Sequence, residues 1–303
     1  MLWILVIVAA YLLLAVSTLV DRYLLLGPPN PKTYAFYVSF PGIFLLTLLP
    51  FVNFVVPDPE TFIFSLIGGA AGVFALFFFY KAIEKYEVSK VAPAVGGLTP
   101  LSVLLASFLI FGVQSLGWQE ILAFSFLVSG SILISLERQE KISLRGFGLY
   151  FVVALLFALS TVILKYVYSQ VGFWSGLIFS RVGAFLAALL FLCENSLRQE
   201  ISGKTSSFKK TTGFVFVLNQ ILGALAGFLQ SLAIALVPIS FLAFISALDG
   251  LRYVFILTFS VLFSVKFPRF FKERISRNAV LHKSFAIFLI IAGLIWLGFR
   301  NPF

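Results

Sequence analysis

Ten stretches of about 20 predominantly apolar residues follow one another along this chain, at roughly 2–20, 34–52, 62–80, 91–112, 119–136, 147–164, 172–193, 212–235, 239–264 and 281–299. A helix rises about 1.5 Å per residue, so each run can span the roughly 30 Å hydrocarbon layer of a bilayer. Lipid offers the backbone no hydrogen-bond partners, which leaves helices and closed barrels as spanning structures. Barrel strands are shorter and alternate polar with apolar residues, and these runs do not alternate. Composition agrees. Of the 303 residues, 61% are hydrophobic and 11% charged, where soluble domains carry about 25% charge. The chain is read as an all-α integral membrane protein with ten transmembrane helices. Residues 2–20 lack the charged n-region and small-residue cleavage site of a signal peptide, and are read as a retained membrane segment.

The runs fall into two halves. Residues 15–23 read AVSTLVDRY and residues 158–166 read ALSTVILKY, each closing the first helix of its half. A constant shift of 151 places Gly72 on Gly223, Ala75 on Ala226, Ala82 and Ile83 on Ala233 and Ile234, Ser89 on Ser240, and Ala92 on Ala243. This is a duplicated five-helix unit, 1–142 and 143–303. Five is odd, so consecutive copies enter the membrane in opposite directions. Inverted-topology repeats of this kind build many secondary transporters.

The charges divide the same way. Of 22 Lys and Arg, 18 lie in or at the edges of the gaps after the first, third, fifth, seventh and ninth runs, and only Lys165 and Arg300 fall on the other side. By the positive-inside rule those odd gaps are cytoplasmic and both termini lie outside. The formal net charge of +10 therefore reads as membrane-facing loop charge, and no nucleic-acid partner is expected.

Segment 80–112, YKAIEKYEVSKVAPAVGGLTPLSVLLASFLIFG, and its counterpart 231–250, SLAIALVPISFLAFISALDG, resemble the third-to-fourth helix signature of the drug/metabolite transporter superfamily, EamA type. Residues 180–192, SRVGAFLAALLFL, resemble that family's seventh helix, which often begins with an Arg such as Arg181. The resemblance implies ten helices in two five-helix repeats. Two features depart from the family pattern. The places after the fourth and ninth helices read FGVQSLG (111–117) and FSVKFPR (263–269), without the family's usual Gly-Glu pair. The charge bias also puts the termini outside, where family members usually keep them in the cytoplasm.

An ionisable side chain deep in a membrane helix costs roughly 2.5–3.5 kcal/mol on insertion scales and usually faces the protein interior or a wet cavity. Three stand well inside the runs: Arg181, Asp249 and Arg252. Asp249 and Arg252 are three apart and share a helix face. They form either a substrate or ion site at mid-depth beside Gly250, or a self-neutralising pair that anchors the ninth helix. Asp249 is the only acid deep in a run and so the default proton-coupling candidate, although Arg252 competes with a proton for it. The equivalent place in the first half reads Leu98, Thr99, Pro100 and Leu101. Arg181 faces either an anionic group or, by snorkelling, the membrane surface. In the eighth run Asn219, Gly223, Ala226, Gly227 and Gln230 share one face, the glycines suiting close helix packing. Asn219 and Gln230 are polar candidates for a neighbouring helix or a substrate. Pro93, Gly96, Gly97 and Pro100 mark a candidate kink in the fourth run. The Trp and Tyr residues near run ends, such as Trp3, Tyr150 and Trp174, read as interfacial anchors.

Some chemistries are excluded. Cys193 is the lone cysteine and His282 the lone histidine, so internal disulfides, thiolate clusters and multi-histidine metal sites cannot form. No GxxxxGK[ST] loop appears, which speaks against ATP drive within the chain. No cofactor is expected. The pattern points to a secondary transporter, an exporter or exchanger, of a small organic metabolite by alternating access. It would work as a monomer or homodimer among membrane lipids, in a bacterial or archaeal plasma membrane. Two alternatives stand beside it: a flippase of a lipid-linked carrier on the same fold, and a membrane-embedded lipid-modifying enzyme. The second needs clustered acids, histidines or a nucleophile–base pair that this chain lacks.

Overall fold

The computed structural model describes residues 2–24, 31–85, 88–112, 117–135, 144–193, 198, 210–252, 254–256, 258–259 and 277–300. The boundary proposed near residue 142 and residues 265–276 lie outside the described residues. In order, the elements are α1 (Leu2–Leu24), α2 (Pro31–Ser39), a 3-10 run (Phe40–Phe51), α3 (Pro59–Lys85), α4 (Val88–Phe111), α5 (Trp118–Ser135), α6 (Leu144–Phe191), α7 (Lys210–Leu236), a 3-10 turn (Ile239–Phe241), α8 (Leu242–Ala247) and α9 (Arg277–Arg300). Among the described residues there is no strand.

Among the described residues, six helical stretches are long and apolar enough to cross a membrane: Leu2–Val20, Pro59–Ala82, Ala94–Phe111, Gly146–Phe191, Gly213–Leu236 and Ile239–Ile256. Ala35–Phe51, Trp118–Leu133 and Phe285–Trp296 are apolar but shorter. Many large apolar side chains point outward, among them Leu5, Leu109, Leu190, Phe214 and Ile221, while alanines such as Ala10, Ala15, Ala75, Ala158 and Ala226 fill the interior. That arrangement suits lipid. Large residues cost nothing facing acyl chains, and small ones let helices approach closely.

Local sequence sets the irregular elements. Asp58 precedes α3 and accepts from the Thr61 N–H at 3.2 Å, with Pro59 at the first helical position, where a missing N–H costs nothing. Pro41 and Gly42 open the run that tightens into 3-10 geometry, because proline removes a donor and glycine loosens the backbone. Gly172 breaks α6 into two limbs with φ 77° and ψ 171°, a conformation that favours glycine. The second limb folds back closely: a Cβ on Gly176 would lie 2.6 Å from the Tyr168 ring. The gap expected at 165–171 is therefore helical, and the turn is concentrated at Gly172. The apolar run stops at Leu164 only because Lys165 is charged.

Helix packing crosses between the two halves of the sequence. Helix α1 lies along α7, α3 along α6, and α5 along α9. The repeated Ser of AVSTLV and ALSTVI makes the same kind of contact twice. Ser17 Oγ lies 3.5 Å from where a Cβ on Gly223 would stand, and Ser160 Oγ lies 3.1 Å from the matching position on Gly72. Ser160 also donates to the Gly68 carbonyl at 2.8 Å. Trp3 and Tyr150, read from the sequence as interfacial anchors, are instead packed inside, with 7% and 1% exposure.

Candidate functional site

The segment after α8 is where regular backbone bonding fails. The Leu248 N–H still reaches Phe244, four residues back. From Asp249 on, bonds shorten to three residues: Asp249 N–H to Ser246 at 3.2 Å, Leu251 N–H to Leu248 at 2.9 Å, and Arg252 N–H to Asp249 at 3.0 Å. The shift takes the Asp249 donor from the Ile245 carbonyl and the Leu251 donor from the Ala247 carbonyl. An orphaned carbonyl in a membrane interior is costly. Both are recovered by side chains from elsewhere. The Tyr11 hydroxyl of α1 donates to the Ile245 oxygen at 2.6 Å, and the Ser131 hydroxyl of α5 donates to the Ala247 oxygen at 2.8 Å. Gly250 permits the close approach, since a Cβ there would collide with Ser131 Oγ and lie 3.0 Å from Ser131 Cα.

Asp249 and Arg252 pair across this break, with Nη2 to Oδ2 at 2.8 Å. Arg252 keeps 23% and Asp249 22% of its side-chain surface exposed, so the pair is held by the protein without being sealed in it. The Gln230 amide of α7 meets the Tyr11 hydroxyl, and that hydroxyl lies within reach of the charges of Asp249 and Arg252. Three sequence candidates, Gln230, Asp249 and Arg252, thus gather around Tyr11.

Arg181 occupies a second polar place, on the second limb of α6. Its stem packs on Gly42, where an added Cβ would lie 3.2 Å from Cδ, and its Nη2 lies 3.8 Å from the corresponding position on Gly227 of α7. The guanidinium turns inward to α7 and Tyr168, not out along the helix to the membrane surface as snorkelling would take it. Gly227 is one turn from Gln230, which puts Arg181 next to the first group along α7. Asn219 is buried at 4% exposure but lies eleven residues, about 16 Å, from Gln230 along α7, and stands apart from both groups.

Pro93, Gly96, Gly97 and Pro100 all lie within the helical span of α4. Gly97 serves packing, as a Cβ there would lie 2.6 Å from Ile132. Thr99 donates to the Val95 carbonyl of its own helix at 2.7 Å.

Sequence reasoning missed Tyr11, Ser131, Tyr168 and Lys165. Lys165 is buried at 7% exposure and donates to the Ala235 carbonyl at 2.9 Å, next to the end of α7, where a cation suits the helix dipole. A signal for it existed: Lys165 occupies the Arg22 place in the repeated ALSTVILKY.

Residues 1–136 match the EamA-like transporter family. The resemblance to EamA-type drug/metabolite transporters drawn from the sequence is borne out over that stretch, just under half of the chain. The apolar helices are those of a membrane protein, and over residues 1–136 the chain is similar to EamA-like transporters. A solved crystal structure has the same fold, with a TM-score of 0.69 at 16% identity, covering 97% of this chain and 96% of that one. No curated protein matches the sequence.

Proposed function

We propose that the protein is a secondary transporter of a small organic solute, built as two inverted five-helix repeats, 1–142 and 143–303, that alternate access to a site around Asp249, Arg252, Gln230 and Tyr11. The observation that carries this reading is the broken helix after α8. Its freed carbonyls are held by Tyr11 and Ser131, both from the first half, while the break itself belongs to the second. Discontinuous helices at the interface between repeats, with polar groups at mid-depth, are where such transporters hold their cargo. The exchanged contacts Ser17–Gly223 and Ser160–Gly72 support the duplication. Five helices per repeat require the 3-10 run and both limbs of α6 to count as spans. The charge bias favours cytoplasmic odd-numbered loops and outer termini. Gly250 is the hinge candidate, with Pro93, Gly96, Gly97 and Pro100 as secondary gating candidates. Arg181, beside the first group, and Asn219, farther along α7, are further substrate-binding candidates.

Site-directed labelling tests this. With Cys193→Ser as background, Gln230→Cys is placed in sealed vesicles and treated with a membrane-impermeant maleimide from each face in turn. Alternating access expects modification from both faces. Modification from one face only, or from neither, contradicts it.

A further inference from the structure

Three side chains of α6 meet one face of α7 in sequence. Arg181 lies against Gly227, Tyr168 beside Ser231, and Lys165 on the Ala235 carbonyl. Residues 227, 231 and 235 are four apart and share a helix face. Two cations therefore flank a tyrosine along roughly 12 Å of one helix.

The charges in this region do not cancel. Well inside the described spans the acid is Asp249, and Arg252 holds it. Lys165 spends a donor on the Ala235 carbonyl. Arg181 has neither a carboxylate nor a hydrogen-bond acceptor among the described residues; the interaction it has is with Tyr168. The Tyr168 hydroxyl is buried and meets no hydrogen-bond partner. Ser180 and Ser231 lie beside it, outside hydrogen-bonding geometry. A buried phenol without a partner is unfavourable, and the half-buried Arg181 guanidinium beside it has no acceptor among the described residues. Side by side they are two donors lacking one shared acceptor. Arg is the side chain best shaped to fork onto a planar or tetrahedral oxyanion. Gly42 and Gly227 leave the stem and head of Arg181 the room to hold that position.

We infer that Arg181 and Tyr168 form an oxyanion subsite, and that the transported solute is a small organic anion whose carboxylate or phosphate binds there. The inference rests on the transporter reading and names its substrate class. Lys165 adds a second positive charge farther along the same face.

The test is a melting-temperature series on the purified full-length protein. The probes are succinate, citrate, glycerol 3-phosphate and inorganic phosphate, with choline as the cationic control and phosphatidylglycerol added to the micelles as the lipid arm. A ligand that binds only the folded state raises the melting temperature with concentration. At least one soluble oxyanion is expected to do so, and choline is not. Tyr168→Phe is the decisive variant. It removes an unpartnered hydroxyl, so the unliganded protein should melt no lower than wild type. Its affinity for the anion should nonetheless fall about tenfold or more, the value of a hydrogen bond to a charged group. Arg181→Gln should abolish the shift, and Arg181→Lys should retain part of it. The subsite is overturned by no soluble anion shifting the wild type, by equal shifts in wild type and Tyr168→Phe, or by phosphatidylglycerol acting where soluble anions do not. Two-faced labelling at position 230 without any anion shift would sink the anion assignment and leave the transporter reading standing.

Discussion

Helix α4 and the segment after α8 occupy matching places in the two halves, and they solve the same backbone problem in opposite ways. In α4 the positions equivalent to Asp249 and Arg252 are Leu98 and Leu101, and the helical span continues through them from Val88 to Phe111, although Pro93 and Pro100 each withhold a backbone donor. Its one polar side chain at that level, Thr99, returns its hydroxyl to its own backbone at Val95. In the second half the helical register slips at Asp249, a charged pair crosses the slip, and the freed carbonyls depend on Tyr11 and Ser131 from other helices. One copy keeps its polar side chain on its own backbone. The other is held open by its neighbours. On the proposed reading, a chain with its polar chemistry in only one half has one site, not two.

The largest effect should come from making the second copy resemble the first one residue at a time. Asp249→Leu strands Arg252 without its partner. A fully buried pair loses about 3–5 kcal/mol on such a change, and the residual exposure of 22–23% places this one at or below that range. Adding Arg252→Leu should recover most of the loss, since apolar pairs replace buried ion pairs at little cost. Chemical or thermal unfolding of the three proteins in one detergent measures this. If the double variant is as unstable as the single, the pair is more than a self-neutralising unit.

Next come the two glycines. Gly250→Ala drives a methyl into Ser131 and should cost about 1–3 kcal/mol by overpacking. Gly97→Ala meets Cγ1 and Cδ1 of the Ile132 side chain and no backbone atom, and should cost less. Equal losses would erase the distinction between a strained and a relaxed copy.

Hydroxyl deletions give a finer comparison. Tyr11→Phe and Ser131→Ala each orphan a backbone carbonyl, worth about 1–3 kcal/mol. Thr99→Val leaves the α4 backbone bonded and should stay within about 0.5 kcal/mol. Melting temperatures under matched conditions decide it, and a Thr99→Val loss as large as that of Tyr11→Phe would contradict the picture.

The smallest effect lies outside both copies. Asp58 caps α3, and its hydrogen bonds from Thr61 hold its carboxyl below the ordinary aspartate value of 3.8. A depressed folded value means the stabilisation is present above the unfolded value and fades as pH falls through the folded one. A small stability loss below about pH 4 is therefore expected, absent in Asp58→Asn. It serves as the reference for a helix end satisfied locally.

What the sequence made legible follows from what lipid demands. Apolar runs, small-residue faces and the repeat are visible because membrane helices must satisfy their backbones alone and pack closely. Asp249 and Arg252 stood out because charge is costly there. Tyr11 and Ser131 did not, because their partners are carbonyls that become acceptors only once the helix slips, and composition carries no trace of that. Lys165 looked like a loop charge because it ends an apolar run, although the helix continues past it to Gly172. Trp3 and Tyr150 looked interfacial by position, and only packing reveals them as interior.

The most direct measurement is ligand-dependent melting of the Asp249→Leu/Arg252→Leu protein beside wild type, across anionic, cationic and neutral metabolites. The expected result is an unliganded melting temperature close to wild type, with the wild-type ligand shift lost or strongly reduced. A wild-type ligand shift that survives in full would place the binding site elsewhere and leave the broken helix as architecture alone.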